Sequence, residues 1–196
     1  MIDNFETIEN NLLQFQPGSY YKFEALVRNT DGENDLYCEG MSKTNKNILI
    51  KSWWIEDLEY YNKVKKEMKH LCDHTGARLY VSLDRKNLKK TLVCIQNQAL
   101  NLMTQYYVMR DEESPVDLAT KTVARINAHA SSVKESSDRA TRMWMFDIDT
   151  NDFHLLETIQ AACYPHTFFT LATKKGWHVC VYKRGFEGIR DIEHRF

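Results

Sequence analysis

The chain is poor in the residues that break regular structure. Its 196 residues include only 7 Gly and 3 Pro, which excludes collagen-like and Pro/Gly-rich disordered architectures. No apolar run approaches the roughly 18 to 20 residues needed to cross a bilayer, so no membrane partner is expected. The five cysteines (Cys38, Cys72, Cys94, Cys163, Cys180) are odd in number, widely spaced and without a Cys-x-x-Cys pair. That pattern fits neither a disulfide framework nor a zinc ribbon. The opening residues lack a basic-then-apolar leader, and a reduced, cytoplasmic protein is expected. A charge of one sign is missing too: 26 Lys+Arg face 27 Asp+Glu. Bulk charge therefore gives no reason for nucleic-acid binding, which would have to come from local basic patches.

What is present is a good supply of core: 43% of the residues are hydrophobic, enough for one domain or two small modules. Tyr20–Val27 reads as a strand and Asn29–Asn34 as a turn. Ile48–Ile55 follows as a strand or a strand running into a helix. Leu58, Tyr61, Val64 or Lys65, Met68, Leu71 and Cys72 then recur at helical spacing, and Gly76 stops the run. Ala77–Leu83 alternates as a strand, with Leu79, Val81 and Leu83 on one face. A second helical stripe runs from Leu88 to Tyr106. Ser114-Pro115 is a helix start, with Val116, Ala119, Val123, Ile126 and Ala130 on one side. The serine-rich stretch 131–138 reads as a connection. No internal repeat is visible.

The last sixty residues carry the strongest signals. Met143–Asp149 is an apolar strand ending in two carboxylates. Thr150 or Asn151 is expected to cap a helix with Phe153, Leu156, Ile159 and Cys163 inward. Thr167–Ala172 and Trp177–Tyr182 flank a short Lys174-Lys175-Gly176 connection and should pair as an antiparallel hairpin. The fold class expected is α/β (α+β). An N-terminal αβ module over 1–112 would pack on an RRM-like, mostly antiparallel sheet over 113–196 that carries the Asp-Ile-Asp strand.

Asp147-Ile148-Asp149 is the sharpest local feature. Residues two apart on a strand share a face, so both carboxylates should project together at its end. Like charges that close need a cation between them or a proton on one. Hard oxygen donors favour Mg²⁺ or Mn²⁺, ions suited to phosphoryl transfer. The plain alternative is one Asp capping the next helix and one solvated. The second feature is Thr173-Lys174-Lys175-Gly176-Trp177-His178, where two cations and a glycine turn can meet a phosphate ahead of a strand histidine. Its plain alternative is an ordinary basic hairpin. The chain between Asp149 and His178 suffices for one helix and one strand, which can return His178 beside the carboxylates.

These two motifs, Phe146-Asp147-Ile148-Asp149 and Lys174-Lys175-Gly176-Trp177-His178, resemble the archaeo-eukaryotic primase (primase-polymerase) superfamily, including its small phage and plasmid members. The resemblance covers residues 143–183. It implies Asp147 and Asp149 on divalent metal, and His178, with Thr173, Lys174, Lys175 and Gly176, on the phosphates of a nucleoside triphosphate. The family has Ser or a second Gly where Thr173–Lys175 stand here. Its third carboxylate would fall to Asp191, as a further metal ligand. The activity implied is nucleotidyl transfer on DNA or RNA. Two other classes stay open: a non-catalytic nucleic-acid- or partner-binding protein, and a metal-dependent nuclease or phosphodiesterase.

Other patterns weigh less. Haloacid-dehalogenase-type phosphatases also open on Asp-x-Asp, but they need Thr where Asn151 stands and far more chain downstream. Arg85, Lys86, Lys89 and Lys90 form the densest basic stretch, a candidate nucleic-acid contact or a solvated helix face. Trp53-Trp54 and Tyr60-Tyr61 are candidates for base stacking or for core. His70 and His74 have metal-like spacing without a third ligand.

Overall fold

In the computed structural model, the residues described are 2–28, 48–108, 136–183 and Phe186. The expected turn at 29–34, the helix begun at Ser114-Pro115 and Asp191 lie outside them. The fold is α+β, and the chain divides into two compact units. Phe15–Asp138 forms one; Arg139–Phe196 together with Met1–Gln14 forms the other. The division thus falls at 138/139 rather than at 112/113, and the first residues go with the C-terminal unit.

In the Phe15–Asp138 unit, β1 (Ser19–Val27) is the middle strand. It pairs antiparallel with β2 (Ile48–Ile55) on one side. On the other side it pairs with β3 (Arg78–Val81) and the two-residue β4 (Lys86–Asn87). Since β2 and β3 both run antiparallel to β1, they are parallel to each other. The helix α2 (Leu58–Thr75) joins them. This is a split β-α-β arrangement with β1 inserted between its strands.

The local reasons for α2 are visible. Asp57 caps it, its Oδ1 accepting from Tyr60 N–H at 2.7 Å. Gly76 ends it in the left-handed conformation at φ 66, which a residue with a Cβ resists. The buried stripe Tyr61, Val64, Met68 and Cys72 lies over the β1 face carrying Tyr21 and Phe23. The helix α3 (Leu88–Val108) follows β4, with Asn87 Oδ1 accepting from Lys90 N–H at 2.9 Å. Thr91 and Tyr20, both fully buried, share a hydrogen bond of 3.1 Å on the opposite face of β1. The middle strand is therefore covered on both faces along its first half.

In the second unit, β5 (Met143–Ile148), α4 (Phe153–Cys163), β6 (Phe168–Ala172) and β7 (Trp177–Tyr182) follow in order. The sheet order is β5-β7-β6, antiparallel throughout. Here too the outer strands are parallel, joined by a helix, with a third strand between them. Ile148, Val179 and Val181 pack with Leu156, Ile159 and Cys163 of α4. The cap of α4 is Asp152, whose Oδ1 accepts from His154 N–H at 2.9 Å and Leu155 N–H at 3.3 Å. It corrects the expectation of Thr150 or Asn151 by one or two residues. Phe153 is exposed rather than inward, and its ring lies 4.9 Å from that of Trp177. A short helix α1 (Phe5–Asn11), unforeseen in the sequence, packs on β6. Among the described residues, no helix is long and apolar enough to cross a membrane.

Candidate functional site

Strand alternation sorts the residues of β5 and β7 between two faces. Trp144, Phe146 and Ile148 pair across the ladder with Val181, Val179 and Trp177 on the face that α4 covers. The remaining positions go to the other face: Met145 opposite Cys180, and Asp147 opposite His178. The apolar pattern of the two strands thereby sets which side the polar pair must occupy. The result is a direct cross-strand contact, with His178 Nε2 3.1 Å from Asp147 Oδ1. Their side chains are 29% and 55% exposed, so the pair is open to solvent on a sheet face.

Asp147 lies within β5, opposite His178, and Asp149 follows the last residue of the strand. β5 ends at Ile148, and Asp149 lies one residue beyond it, exposed and without a hydrogen bond or ion pair among the described residues. The neighbour of the Asp147 carboxylate is the His178 imidazole, whose Nε2–H can donate to Oδ1. Among the described residues, no group of three or more His, Cys, Asp or Glu side chains is placed to hold a metal ion. Asp191 lies outside them.

The turn before β7 is tightly built. Thr173 N–H donates to Gly176 O at 2.8 Å, and Lys175 N–H reaches Thr173 Oγ1 at 3.4 Å. Lys174 and Lys175 are exposed. Gly176 is glycine for a steric reason. A Cβ there would lie 2.0 Å from the Ile148 carbonyl oxygen and 2.7 Å from that of Thr150. The turn consequently presses its backbone on the end of β5, beside the segment that carries Asp149. Thus Thr173, Lys174, Lys175, Gly176 and His178 all stand at the β5 end that bears the acidic pair.

Cys180 shares the face of His178 and Asp147, so a Cys-His-Asp alignment of residue types exists. It is not a nucleophilic site. Cys180 is fully buried, and burial pushes its thiol up to about 12, whereas a reactive cysteine needs a thiolate near neutrality.

The basic stretch divides in two. Arg85 is 3% exposed, and its Nε and Nη2 bind Asp138 Oδ2 at 3.1 and 2.5 Å. Lys86 is 6% exposed and holds Asp84 at 3.0 Å and Ser137 Oγ at 2.9 Å. Buried charges paired in this way belong to the interior of the Phe15–Asp138 unit and are not available to phosphates. Only Lys89 and Lys90, exposed in the first turn of α3, keep that possibility. Trp53 and Tyr61 are core residues, while Trp54 stacks on Tyr20 at 4.7 Å. His70 and His74 sit exposed on α2.

Two surface concavities of about 370 Å³ are lined by Ala140, Pro165, His166, Thr167 and Tyr182, and by Trp54, Glu56, Asp57 and Tyr60. Neither contains the Asp147–His178 pair, which lies at the solvent-exposed end of a face that is buried at Cys180, Phe169 and Leu171. Sequence reading missed Asn4, whose carboxamide meets the backbone of Ala172 just before the lysine turn. Its only sequence signal is that of a helix cap. Comparison of the chain with family models, with curated proteins and with solved structures finds no match in any of the three.

Proposed function

We propose that the protein binds nucleotides or nucleic acid through a divalent ion, in the manner of a primase-polymerase, with nucleotidyl transfer as the associated reaction. One observation carries this reading: Asp147 and His178 meet across β5 and β7 at a solvent-exposed sheet end, two residues from a turn that exposes Lys174 and Lys175. An acid, an imidazole and two cations at one sheet end form a set of groups complementary to a metal-bound triphosphate.

The donor set fits Mg²⁺ or Mn²⁺ delivered with its phosphates better than an ion held by protein alone. Mg²⁺ ordinarily takes one or two carboxylates and completes its shell with substrate phosphates and water. Asp147 and Asp149 would hold the ion, which when bound neutralises charge on the phosphoryl oxygens. Lys174 and Lys175 would contact phosphate as point charges, and His178 would hold the Asp147 carboxylate in place or donate to a phosphate oxygen. The exposure of this sheet end leaves room for a chain as well as a mononucleotide, which suits DNA or RNA as the second partner.

A second reading, binding without turnover, is favoured by the engagement of Asp147 with His178. Calorimetric titration with Mn²⁺·ATP and with a single-stranded oligonucleotide, followed by primer extension with all NTPs and dNTPs, tests both. Extension lost in Asp147→Asn supports transfer. Binding without extension identifies the second reading, and strand cleavage without any need for NTP would identify a nuclease. No binding of either ligand would overturn the proposal.

A further inference from the structure

Asn4 stands at the N-cap of α1, where an asparagine side chain ordinarily accepts a hydrogen bond from the first turn. It makes no such bond. Phe5 N–H is taken by Asp3 Oδ1 at 3.0 Å, and the Asn4 carboxamide is turned onto the last residue of β6. Asn4 Nδ2 donates to the Ala172 carbonyl at 2.9 Å, and Ala172 N–H donates to Asn4 Oδ1 at 3.2 Å. Within the order β5-β7-β6, β6 is an edge strand, and edge strands leave outward N–H and C=O groups without a ladder partner. One carboxamide, carrying a donor and an acceptor, completes both.

The next residue is the entrance to the lysine turn. Thr173 N–H is held by Gly176 O on the β7 side, while Ala172 is held from outside by Asn4. The helix that carries Asn4 is tied at its other end: the Tyr182 hydroxyl donates to Asn11 O at 3.1 Å, and Gln14 Nε2 donates to Tyr182 Oη at 2.8 Å. We infer that Asn4 is a positioning residue for the Thr173–Gly176 turn, fixing the backbone from which Lys174 and Lys175 meet phosphate. The phosphate part of this inference rests on the function proposed above. The grip of Asn4 on the turn stands on the two hydrogen bonds.

The test uses the full chain with Asn4→Asp, which is isosteric but loses the donor and sets an anionic oxygen against the Ala172 carbonyl. Asn4→Ala removes both bonds without adding charge, so the test stays decisive if the first variant fails to fold. Amide hydrogen exchange at Thr173 and Lys175 should quicken about tenfold, with Phe146 and Val179 in the β5–β7 ladder unchanged. Binding of Mn²⁺·ATP should weaken about fivefold. That weakening should vanish in a Lys174→Ala, Lys175→Ala background, because the effect passes through the lysines. Unchanged exchange at Thr173 and Lys175 would overturn the inference. So would equal weakening in both backgrounds, or exchange quickened across the whole sheet, either of which marks Asn4 as a general stabiliser. Localised quickening in a protein that binds no Mn²⁺·ATP would uphold the positioning and refute the phosphate reading.

Discussion

The two units share an arrangement and differ in where they keep their charge. Each has a helix joining two parallel outer strands with an antiparallel strand between them: β2-α2-β3 around β1, and β5-α4-β6 around β7. In the first, the middle strand comes before the motif in the chain; in the second, it comes after. β1 is buried on both faces, and the charges near it are turned inward and paired, as in Lys22–Glu24, Arg85–Asp138 and Lys86–Asp84. β7 is sealed by α4 on one face, while its other face carries Asp147 and His178 into solvent at one end. Interior ion pairs specify an architecture, because either partner alone is costly to bury. Exposed ones cost little to disturb and can meet a ligand. The same strand arrangement thus serves as scaffold in one unit and as candidate site in the other.

The strongest way to break this comparison is to remove a buried charge. Arg85→Ala removes a buried, paired guanidinium, while the part-exposed Asp138 carboxylate stays within reach of solvent, and should destabilise the Phe15–Asp138 unit by about 3 kcal/mol in denaturant titration. Lys175→Ala should stay within about 0.5 kcal/mol of the parent. Similar values for both would show that burial does not separate the two sets of cations.

Glycine supplies the next contrast. Gly176→Ala drives a Cβ into the Ile148 and Thr150 backbone and should cost about 3 kcal/mol. Gly18→Ala meets open space and pays only for its φ of 73, about 1 kcal/mol. Reversal of that order would remove the packing of the turn on β5.

Ligand binding sharpens the comparison. Mn²⁺ alone should leave the melting temperature nearly unchanged, since the described residues offer no three-ligand group, whereas Mn²⁺ with ATP should raise it. Asp147→Asn or His178→Ala should weaken Mn²⁺·ATP about tenfold, the order expected for losing a charge-assisted contact. A full response to Mn²⁺ alone would point to a preformed ion site. For single-stranded nucleic acid, Lys174→Ala with Lys175→Ala should lower the slope of log K against log salt by about 1.4. Arg85→Gln should leave that slope unchanged in whatever fraction stays folded.

The last contrast concerns pH. Burial pushes the thiols of Cys180 and Cys72 up to about 12 and about 11 from an ordinary value of 9.0. Below pH 9 the thiol is neutral in the folded and unfolded chain. Above it the unfolded chain ionises first, so stability is lost as pH climbs from 9 toward the folded values. Cys180→Val should flatten that decline in urea titrations at pH 8.5 to 10.5. An unaltered decline would assign it to other groups.

Much of this was legible in residue order. The periodicity of Tyr61, Val64, Met68 and Cys72 predicts α2, and Gly76 its end; the alternation of Trp177–Tyr182 predicts β7 and the face of His178. These signals are local, because a helix or strand repeats its burial within a few residues. Other features depended on partners far along the chain. The basic run Asp84–Lys90 reads as a solvated cluster until Asp138 and Ser137 return to bury Arg85 and Lys86. Asn4 reads as a helix cap until β6 arrives beside it. Gly176 reads as turn chemistry, and only the β5 terminus shows why a side chain cannot fit.

By itself the sequence determined the α+β class, the strands and helices with strong periodicity, and the faces on which Asp147 and His178 stand. Each follows from a backbone repeat and from apolar side chains seeking one side. Tertiary structure alone decided that β7 lies directly against β5 in the register that pairs those two residues, and that β1 is enclosed on both faces. It also decided which cations are interior. Strand order, register and charge pairing are set by contacts between distant segments, whose energies depend on the surface each partner removes from water, and no local repeat encodes that.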